Sequence, residues 1–175
     1  MKLAQIQMHV TADKAANLRH AEELLRSVRG ADMAILPEMF CCPYDNACFR
    51  AYGEPAGGAA YQMLSRTARE LGLWLVGGSL PELEAGRVYN TSFVFDPQGA
   101  CVARHRKMHL FDIDVEGGQR FRESDTLSPG NDVTLFDTPW GRMGLCICFD
   151  LRFEELCRVM ALEGARVLLA PAAFN

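Results

Sequence analysis

The sequence predicts a single α/β domain with a mixed sheet, spanning residues 1–175. Short apolar runs of strand length alternate with longer runs in which apolar residues recur at helical spacing, which is typical of an α/β fold. Two of the apolar runs flank residues 96–99 (Asp-Pro-Gln-Gly), which suit a type I turn and indicate an antiparallel hairpin. Residues 142–147 lead directly into a helical pattern, so we expect a strand, a sharp turn and a helix there.

The first half of the chain is predicted to supply three strands and two helices. Residues 3–8 form the first strand, residues 33–36 form the second, which ends at Pro37, and residues 74–80 form the third. A loop is expected over residues 41–58, where prolines and glycines are frequent, with room for a short helix beside a pocket. The first helix is capped by Thr11 or Asp13, carries Leu18, Ala21, Leu25 and Val28 on one face and ends at Gly30; the second carries Tyr61, Leu64, Ala68 and Leu71.

The second half is predicted to contain the hairpin, a long polar excursion and a strand-helix-strand unit. Residues 88–95 and 100–106 are the two strands of the hairpin. Residues 109–131 are polar and rich in glycine, and a connection of that length is usually functional or disordered. After the strand at residues 142–147, a helix is expected over residues 152–163 and a last strand over residues 167–170.

Composition excludes several classes of function. The 175 residues are 49% hydrophobic and 23% charged, which is ordinary for a soluble globular domain. A net charge of −4 without basic runs argues against a nucleic-acid partner. No run of eighteen apolar residues and no signal-peptide pattern is present, which argues against a membrane partner. We therefore expect a cytoplasmic protein whose partner is a neutral or acidic small molecule.

The seven cysteines do not form a recognisable disulfide or metal pattern. Their odd number and irregular spacing favour a reducing compartment over a disulfide framework. The sequence has no Cys-x-x-Cys pair, and the group formed by Cys41, Cys42 and Cys48 lacks a partnered histidine motif. We therefore expect no structural metal.

Cys148 is the first candidate for a reactive group, because it lies at the predicted turn between a strand and a helix. Asp150 is the expected N-cap of that helix, and acidic residues in its first turn suit the helix dipole. A helix N-terminus lowers the pKa of a thiol, and the Phe149 N–H can donate to a developing oxyanion. The alternative is a buried core cysteine, which is the role that we expect for Cys146.

Glu38 and Lys107 also follow predicted strand ends. A thiol that attacks a carboxamide or nitrile carbon needs a base, and a buried glutamate can take its proton and later deprotonate water. Lys107 can stabilise the oxygen of the tetrahedral intermediate together with the Phe149 N–H. Taken one by one, a glutamate and a lysine are more often solvated surface charges. The prediction of a catalytic site therefore depends on the fact that all three residues, Glu38, Lys107 and Cys148, follow the ends of predicted strands.

Three segments around these residues resemble the signature segments of the nitrilase superfamily of carbon–nitrogen hydrolases. They are residues 36–40 (Leu-Pro-Glu-Met-Phe), residues 106–110 (Arg-Lys-Met-His-Leu) and residues 144–155. Residues 42–44, 109–115, 123–124, 126–130 and 171–175 are most similar to the ω-amidase branch of that superfamily. The resemblance spans the chain in order and implies an α/β fold of the nitrilase-like αββα sandwich type with mixed sheets, of which the C-terminal part is missing from this chain.

The resemblance also implies roles for particular residues. Cys148 would form a thioester, Glu38 would act as general base and acid, and Lys107 would stabilise the tetrahedral intermediates. Glu123 matches the second glutamate of the family, which helps to position the base and the substrate. Phe40, Tyr44, His109 and Arg152 are the residues expected in the substrate pocket.

The implied reaction is hydrolysis of a small ω-amide, such as α-ketoglutaramate or α-ketosuccinamate, to a carboxylate and ammonia. The resemblance implies no cofactor and no metal, and it implies a homodimer or larger homo-oligomer for the full-length family form. This chain departs from the family at Cys146, where glycine is more frequent, at Phe149, where tyrosine is frequent, and at His105, where an aromatic residue is common.

Three alternatives remain open from the sequence. The chain is an amidase of a neighbouring branch, acting on deaminated glutathione, N-carbamoyl compounds or nitriles. It is a truncated and catalytically silent form that pairs its exposed sheet edge with another chain. It is a Cys–His enzyme that uses His105 or His109 as base, which is less favoured because neither histidine has an obvious orienting partner in the sequence.

Overall fold

The computed structural model of the protein describes residues 1–118 and 120–174, so Asn175 of the predicted C-terminal segment lies outside the described residues. The helices are α1 (Lys14–Ser27), α2 (Asn46–Tyr52), α3 (Ala59–Leu71) and α4 (Glu154–Leu162). The strands are β1 (Leu3–Gln5), β2 (Met33–Ile35), β3 (Trp74–Val76), β4 (Leu80–Glu84), β5 (Arg87–Phe95), β6 (Cys101–Arg106), β7 (Asp112–Asp114), β8 (Arg120–Arg122), β9 (Thr134–Thr138), β10 (Gly141–Leu145) and β11 (Val167–Leu169). Short 3₁₀ turns cover Glu123–Asp125 and Cys148–Arg152.

The main sheet is mixed. Strands β1, β2 and β3 run parallel to one another, and β5 pairs antiparallel with β3, β4 and β6. A second sheet has β10 at its centre, parallel to β11 and antiparallel to β9. Strands β7 and β8 form a separate two-stranded ribbon. The predicted mixed-sheet α/β class is confirmed.

The layers of the fold follow from which apolar side chains each sheet face buries. Helices α1 and α3 cover one face of the main sheet, where their buried residues pack with those of β2, β3 and β5. The other face packs on the second sheet through a core formed by Met33, Ile35, Val76, Val94, Phe136, Met143, Leu145 and Leu169. Helix α4 covers the outer side of the second sheet through Leu156 and Met160. The order helix, sheet, sheet, helix is the predicted αββα sandwich, because each amphipathic face is buried against the next layer.

A glycine sets the distance between α4 and the second sheet. A Cβ atom at Gly144 of β10 would lie 2.6 Å from Met160 Sδ and 2.8 Å from Leu168 Cδ2. A side chain at this position would push α4 outward. Because α4 follows the turn that carries Cys148, close packing at Gly144 also fixes the position of that turn.

Several elements differ from the sequence prediction. Strands β7 and β8, inside the predicted polar excursion, and strand β9 after it were not predicted, and the run predicted as residues 74–80 divides into β3 and β4. Helix α4 begins at Glu154 with Phe153 as its N-cap, so the prediction of Asp150 as N-cap was wrong. A 3₁₀ turn comes first, and the Asp150 carboxylate accepts hydrogen bonds from the Ile147 N–H at the start of that turn and from the N–H groups of Met108 and His109. By contrast, Asp13 caps α1 as predicted and accepts a hydrogen bond from the Ala16 N–H at 3.0 Å.

None of the helices in the described part of the chain combines the length and apolar character needed to cross a membrane.

Candidate active site

The structure brings Glu38, Lys107 and Cys148 to one buried place. Glu38 follows β2 and Lys107 follows β6 in the main sheet, whereas Cys148 follows β10 in the second sheet. The three side chains are 2%, 0% and 9% exposed, so Glu38 and Lys107 are not the solvated surface charges of the alternative interpretation. Because the two sheets pack face to face, the ends of strands from different sheets meet at the same edge of the sandwich.

Lys107 lies between two carboxylates. Its Nζ is 2.9 Å from Glu38 Oε1 and 3.0 Å from Glu123 Oε2, and it lies 3.3 Å from the Tyr44 hydroxyl. Burial lowers the pKa of this lysine, but the charges of Glu38 and Glu123 outweigh burial, so that the net pKa is raised. Lys107 therefore remains a buried cation beside two acids.

Glu38 carries donors of different kinds on its two oxygens. Oε1 accepts hydrogen bonds from Asn90 Nδ2 at 2.8 Å and from Lys107 Nζ at 2.9 Å. Oε2 accepts a hydrogen bond from the Ala173 N–H at 3.1 Å. Burial raises the pKa of Glu38; the Lys107 cation opposes this shift and the Glu123 charge adds to it. A carboxylate with a raised pKa is a stronger base than a solvent-exposed glutamate.

Glu123 is fully buried and completes the cluster. The Tyr44 hydroxyl donates to its Oε1 at 2.5 Å, and the Phe111 N–H donates to its Oε2 at 2.6 Å. The Glu123 N–H in turn donates to the Phe111 carbonyl at 3.2 Å. These contacts join the base of the β7–β8 ribbon to the carboxylate that faces Lys107.

The backbone at Cys148 has an unusual conformation. Its φ is 45°, in the left-handed region that residues with a side chain rarely adopt. The conformation is held in part by a hydrogen bond of 2.9 Å from the Cys148 N–H to the Pro171 carbonyl. Cys148 is the first residue of the 3₁₀ turn and Phe149 is the second. The N–H groups of these first residues have no acceptors within the turn. Strain of this kind is concentrated at functional sites.

The prediction that the position of Cys148 lowers its pKa was wrong. Burial raises the pKa of this thiol to about 12, and the neighbouring Glu38 carboxylate adds to the shift. The Ala173 N–H and Lys107 act in the opposite direction without outweighing burial. The physical reason is that a dry site beside a carboxylate disfavours a second negative charge more than a short 3₁₀ turn favours it. The Cys148 thiol is therefore neutral at rest.

Asp150 connects the turn that carries Cys148 to the segment that carries Lys107. Its carboxylate accepts hydrogen bonds from the N–H groups of Ile147, Met108 and His109 at 2.9 to 3.1 Å. It also contacts His105 Nε2 at 3.0 Å and His109 Nδ1 at 2.8 Å. Burial raises the pKa of Asp150, but the hydrogen bonds from His105 and from the Ile147 N–H outweigh it, so that the net pKa is lowered.

Both histidines of the Cys–His alternative thus have an orienting partner, contrary to the prediction. His105 uses both ring nitrogens, because Nδ1 contacts Thr134 Oγ1 at 2.9 Å and Nε2 contacts Asp150. His109 stacks on the Phe153 ring with a centroid distance of 3.7 Å and lines a separate cavity of about 460 Å³. The carboxylate beside the Cys148 thiol is that of Glu38.

A cavity of about 160 Å³ opens at Cys148. Two predicted pocket residues, Tyr44 and Arg152, line it, whereas Phe40 is fully buried in the core. A larger groove of about 630 Å³ runs past Glu38 between residues 5–10 and 170–174 but does not contain the thiol. The smaller cavity, the one that contains the thiol, is lined by Tyr44, Phe111, Cys148, Phe149, Arg152, Ala173 and Phe174.

Sequence reasoning missed one residue of this site and misassigned another. Asn90, on β5, was not singled out although it donates to Glu38; its signal was a short polar run, Asn-Thr-Ser, inside an otherwise apolar strand. Asp150 was assigned to a helix cap, although its contacts join two loops. Cys146 is buried with Leu156 and Met160, as expected for a core residue. Among the described residues, no group of three or more His, Cys, Asp or Glu side chains is arranged to hold a metal ion.

A family model described as carbon–nitrogen hydrolase matches residues 2–174. The chain is 47% identical over 176 aligned residues to a zebrafish (Danio rerio) protein described as omega-amidase NIT2, with 99% of this chain and 64% of the relative covered. The human protein described as omega-amidase NIT2 is 46% identical over the same coverage. The chain thus spans about 64% of the length of these curated relatives.

Solved structures show the same fold. The crystal structure of Nit3 from Saccharomyces cerevisiae, a member of branch 10 of the nitrilase superfamily, superposes with a TM-score of 0.87 at 36% identity. That match covers 100% of this chain and 65% of Nit3. An amidase from Nesterenkonia, in a variant described as showing Michael addition of acrylamide at its active-site cysteine, has a TM-score of 0.81 at 25% identity, with 99% and 67% covered.

Proposed function

The chain belongs to the carbon–nitrogen hydrolase family of the nitrilase superfamily, and we propose on that premise that it hydrolyses the carboxamide C–N bond of a small ω-amide. The observation that carries the proposal is the buried Glu38–Lys107–Glu123 cluster beside the Cys148 thiol. Such a group provides a nucleophile, a base and a fixed cation without a cofactor.

In the first half of the proposed reaction, the thiol of Cys148 attacks the carboxamide carbon while its proton passes to Glu38. A base is required because the thiol has a pKa of about 12. The new oxyanion is stabilised by the Phe149 N–H and by Lys107, which the adjacent carboxylates keep protonated. The C–N bond then breaks as Glu38 returns the proton to the nitrogen. Ammonia departs, and the acyl group remains on Cys148 as a thioester.

In the second half, Glu38 deprotonates a water molecule, which attacks the thioester carbon. The second tetrahedral intermediate collapses with release of Cys148 sulfur, which recovers the proton from Glu38. The products are a carboxylic acid, which ionises, and ammonia. In this scheme Glu123 does not react; together with the Tyr44 hydroxyl it fixes the position of Lys107.

The proposed substrates are amides that carry a carboxylate at the far end, such as α-ketoglutaramate and α-ketosuccinamate. Two observations support this class. The cavity of about 160 Å³ is small, and Arg152 supplies a cation at its wall, which suits a short anionic amide. The zebrafish and human relatives are described as omega-amidases, which favours the same substrates for this chain.

The experiment is turnover of α-ketoglutaramate by the purified chain, followed by ammonia release and by mass spectrometry of acid-quenched protein. We expect ammonia and an acyl adduct on Cys148, and loss of both in Cys148→Ala. Cys146→Ala is the matched control, because Cys146 is a buried thiol two residues away in the core. An adduct on another cysteine would overturn the mechanism.

The same experiment separates the alternatives. Turnover of deaminated glutathione, an N-carbamoyl compound or a nitrile, with α-ketoglutaramate untouched, would assign the chain to another branch of the superfamily. A folded protein that forms no Cys148 adduct with any of these amides would be the silent form.

A further inference from the structure

Asn90 contacts both Glu38 and the segment that carries Lys107. Its side-chain Nδ2 donates to Glu38 Oε1 at 2.8 Å, and its backbone carbonyl accepts a hydrogen bond from the Lys107 N–H at 2.9 Å. Asn90 is fully buried on β5, a nine-residue strand that pairs with three others. The residue is therefore held on the most firmly paired strand of the main sheet, and from it contacts the Glu38 carboxylate and the backbone of Lys107.

The orientation of the Asn90 amide is fixed by its surroundings. The Oδ1 atom is buried and has no hydrogen-bond partner among the described residues. A rotation of the amide by 180° would place Oδ1 against the Glu38 carboxylate, where two acceptors would face each other, so the observed orientation is favoured by electrostatics. An unpaired buried oxygen is unfavourable by itself. Its presence indicates that the Nδ2 contact to Glu38 stabilises the arrangement.

As a result, the two oxygens of Glu38 accept different numbers of hydrogen bonds. Oε1 accepts from Asn90 and Lys107, with the Tyr44 hydroxyl at 3.5 Å. Oε2 accepts only the Ala173 N–H among the contacts of the described residues. The same Ala173 N–H also acts on the Cys148 thiol, so Oε2 and the sulfur share a neighbour.

We propose that Asn90 is a positioning residue that occupies Oε1 of Glu38 and so leaves Oε2 as the oxygen that accepts the thiol proton. The inference deepens the proposed function and rests on it in one respect, namely that Glu38 is the base for Cys148. The two donors on Oε1, Asn90 Nδ2 and Lys107 Nζ, withdraw its lone pairs from proton transfer and hold the carboxylate plane in one orientation.

Asn90 also affects the charge of Glu38. The charged and titratable groups that face Glu38 are Lys107 after β6, Glu123 in the 3₁₀ turn, Tyr44 in the loop before α2 and Cys148 after β10. A hydrogen bond to the ionised carboxylate favours the ionised form. Removing the Asn90 donor therefore raises the pH at which Glu38 becomes a base.

The test uses alkylation of Cys148 by iodoacetamide, a reaction that does not require amide turnover. The sulfur forms a bond to the methylene carbon, iodide leaves with the electron pair of the C–I bond, and the thiol proton passes to Glu38. Because burial raises the pKa of the Cys148 thiol to about 12, alkylation between pH 5 and pH 9 depends on the base. Peptide mass spectrometry follows Cys148 separately from the other six of the seven cysteines.

In Asn90→Ala we expect the rate on the high-pH plateau to fall by about tenfold or more and the pH midpoint to rise by about one unit. Asn90→Ser gives the same result, because its hydroxyl is too short to reach Glu38, and it serves if the alanine variant does not fold. Ser92→Ala is the matched control. Ser92 lies on the same strand, is equally buried and has a hydroxyl without a hydrogen-bond partner among the described residues, so its removal leaves the midpoint unchanged.

A double variant distinguishes positioning from a general loss of structure. In a Glu38→Gln background, Asn90→Ala should cause no further loss of alkylation rate, since its effect passes through Glu38. The inference is overturned if the midpoint of Asn90→Ala equals that of Ser92→Ala, or if Asn90→Ala slows alkylation equally with and without Glu38. Failure of every amide substrate, with these alkylation results intact, would contradict the proposed function and leave the role of Asn90 standing.

Discussion

Replacing Asp150 with asparagine is expected to destabilise the protein far more than its small change in shape suggests. Oδ1 of Asp150 accepts from the N–H groups of Met108 and His109 and contacts His109 Nδ1, while Oδ2 contacts the Ile147 N–H and His105 Nε2. An asparagine keeps one acceptor oxygen and presents an NH₂ group on the other side. Either the Ile147 N–H or the N–H groups of Met108 and His109 then face a donor instead of an acceptor.

The magnitude follows from those contacts. Each buried donor left without an acceptor costs about 1–3 kcal/mol, and removal of one member of a buried charged network costs about 3–5 kcal/mol. We expect a loss of about 3–5 kcal/mol in the free energy of unfolding of Asp150→Asn. In a domain of this size that corresponds to a fall of about 6–20 °C in the melting temperature.

Urea unfolding at pH 7, followed by circular dichroism, measures the change. Asp137→Asn is the matched control, because Asp137 lies on β9 and its side chain is 71% exposed beside Arg142. Its urea midpoint should stay that of the unmodified protein. The reasoning about Asp150 is refuted if both variants unfold at the same urea concentration.

The pH dependence of the Asp150 contribution has a definite sign. The pKa of Asp150 in the folded protein is lowered below 3.8, so its stabilising effect is present above the unfolded pKa and is lost as pH falls through the folded pKa. The stability difference between the unmodified protein and Asp150→Asn should therefore shrink below about pH 4. A difference that stays constant down to pH 2 would contradict this explanation.

Three further changes have expected outcomes. Gly78→Ala should lower the free energy of unfolding by more than about 3 kcal/mol in urea titrations, because φ is +60° and the new Cβ would clash with the Pro37 carbonyl. Gly86→Ala is the control: its φ is +79° but the space around it is open, so it should cost about 1–2 kcal/mol. Equal losses in the two variants would contradict the clash. Lys107→Met should reduce ammonia release by about a hundredfold or more, and a rate near that of the unmodified protein would remove the cation from the mechanism. Ammonia release should fall as pH drops through the raised pKa of Glu38, with a midpoint above 4.5, because only the ionised carboxylate takes a proton; a midpoint at or below 4.5 would oppose this role.

Local patterns predicted the parts of the molecule that depend on near neighbours. They predicted the alternation of strands and helices, the Asp13 cap and the turn at residues 96–99. The structure has the corresponding elements. Strand β9 was not predicted, because a short run after a long polar segment carries little periodic signal. Its strand conformation depends on pairing with β10. The break between β3 and β4 was not predicted, because Gly77 and Gly78 lie inside the mostly apolar run of residues 74–80.

The sequence by itself determined that Glu38, Lys107 and Cys148 would follow strand ends, because strand periodicity and its terminators are local. Only the tertiary structure decided which other groups act on them. Asn90 reaches Glu38 across 52 residues of sequence, and the Asp150 carboxylate reaches the His109 N–H across 41. The strand-to-helix turn predicted a thiol with a lowered pKa, whereas burial beside Glu38 raises that pKa to about 12. Desolvation and charge pairing depend on the whole packed environment, which no local pattern contains.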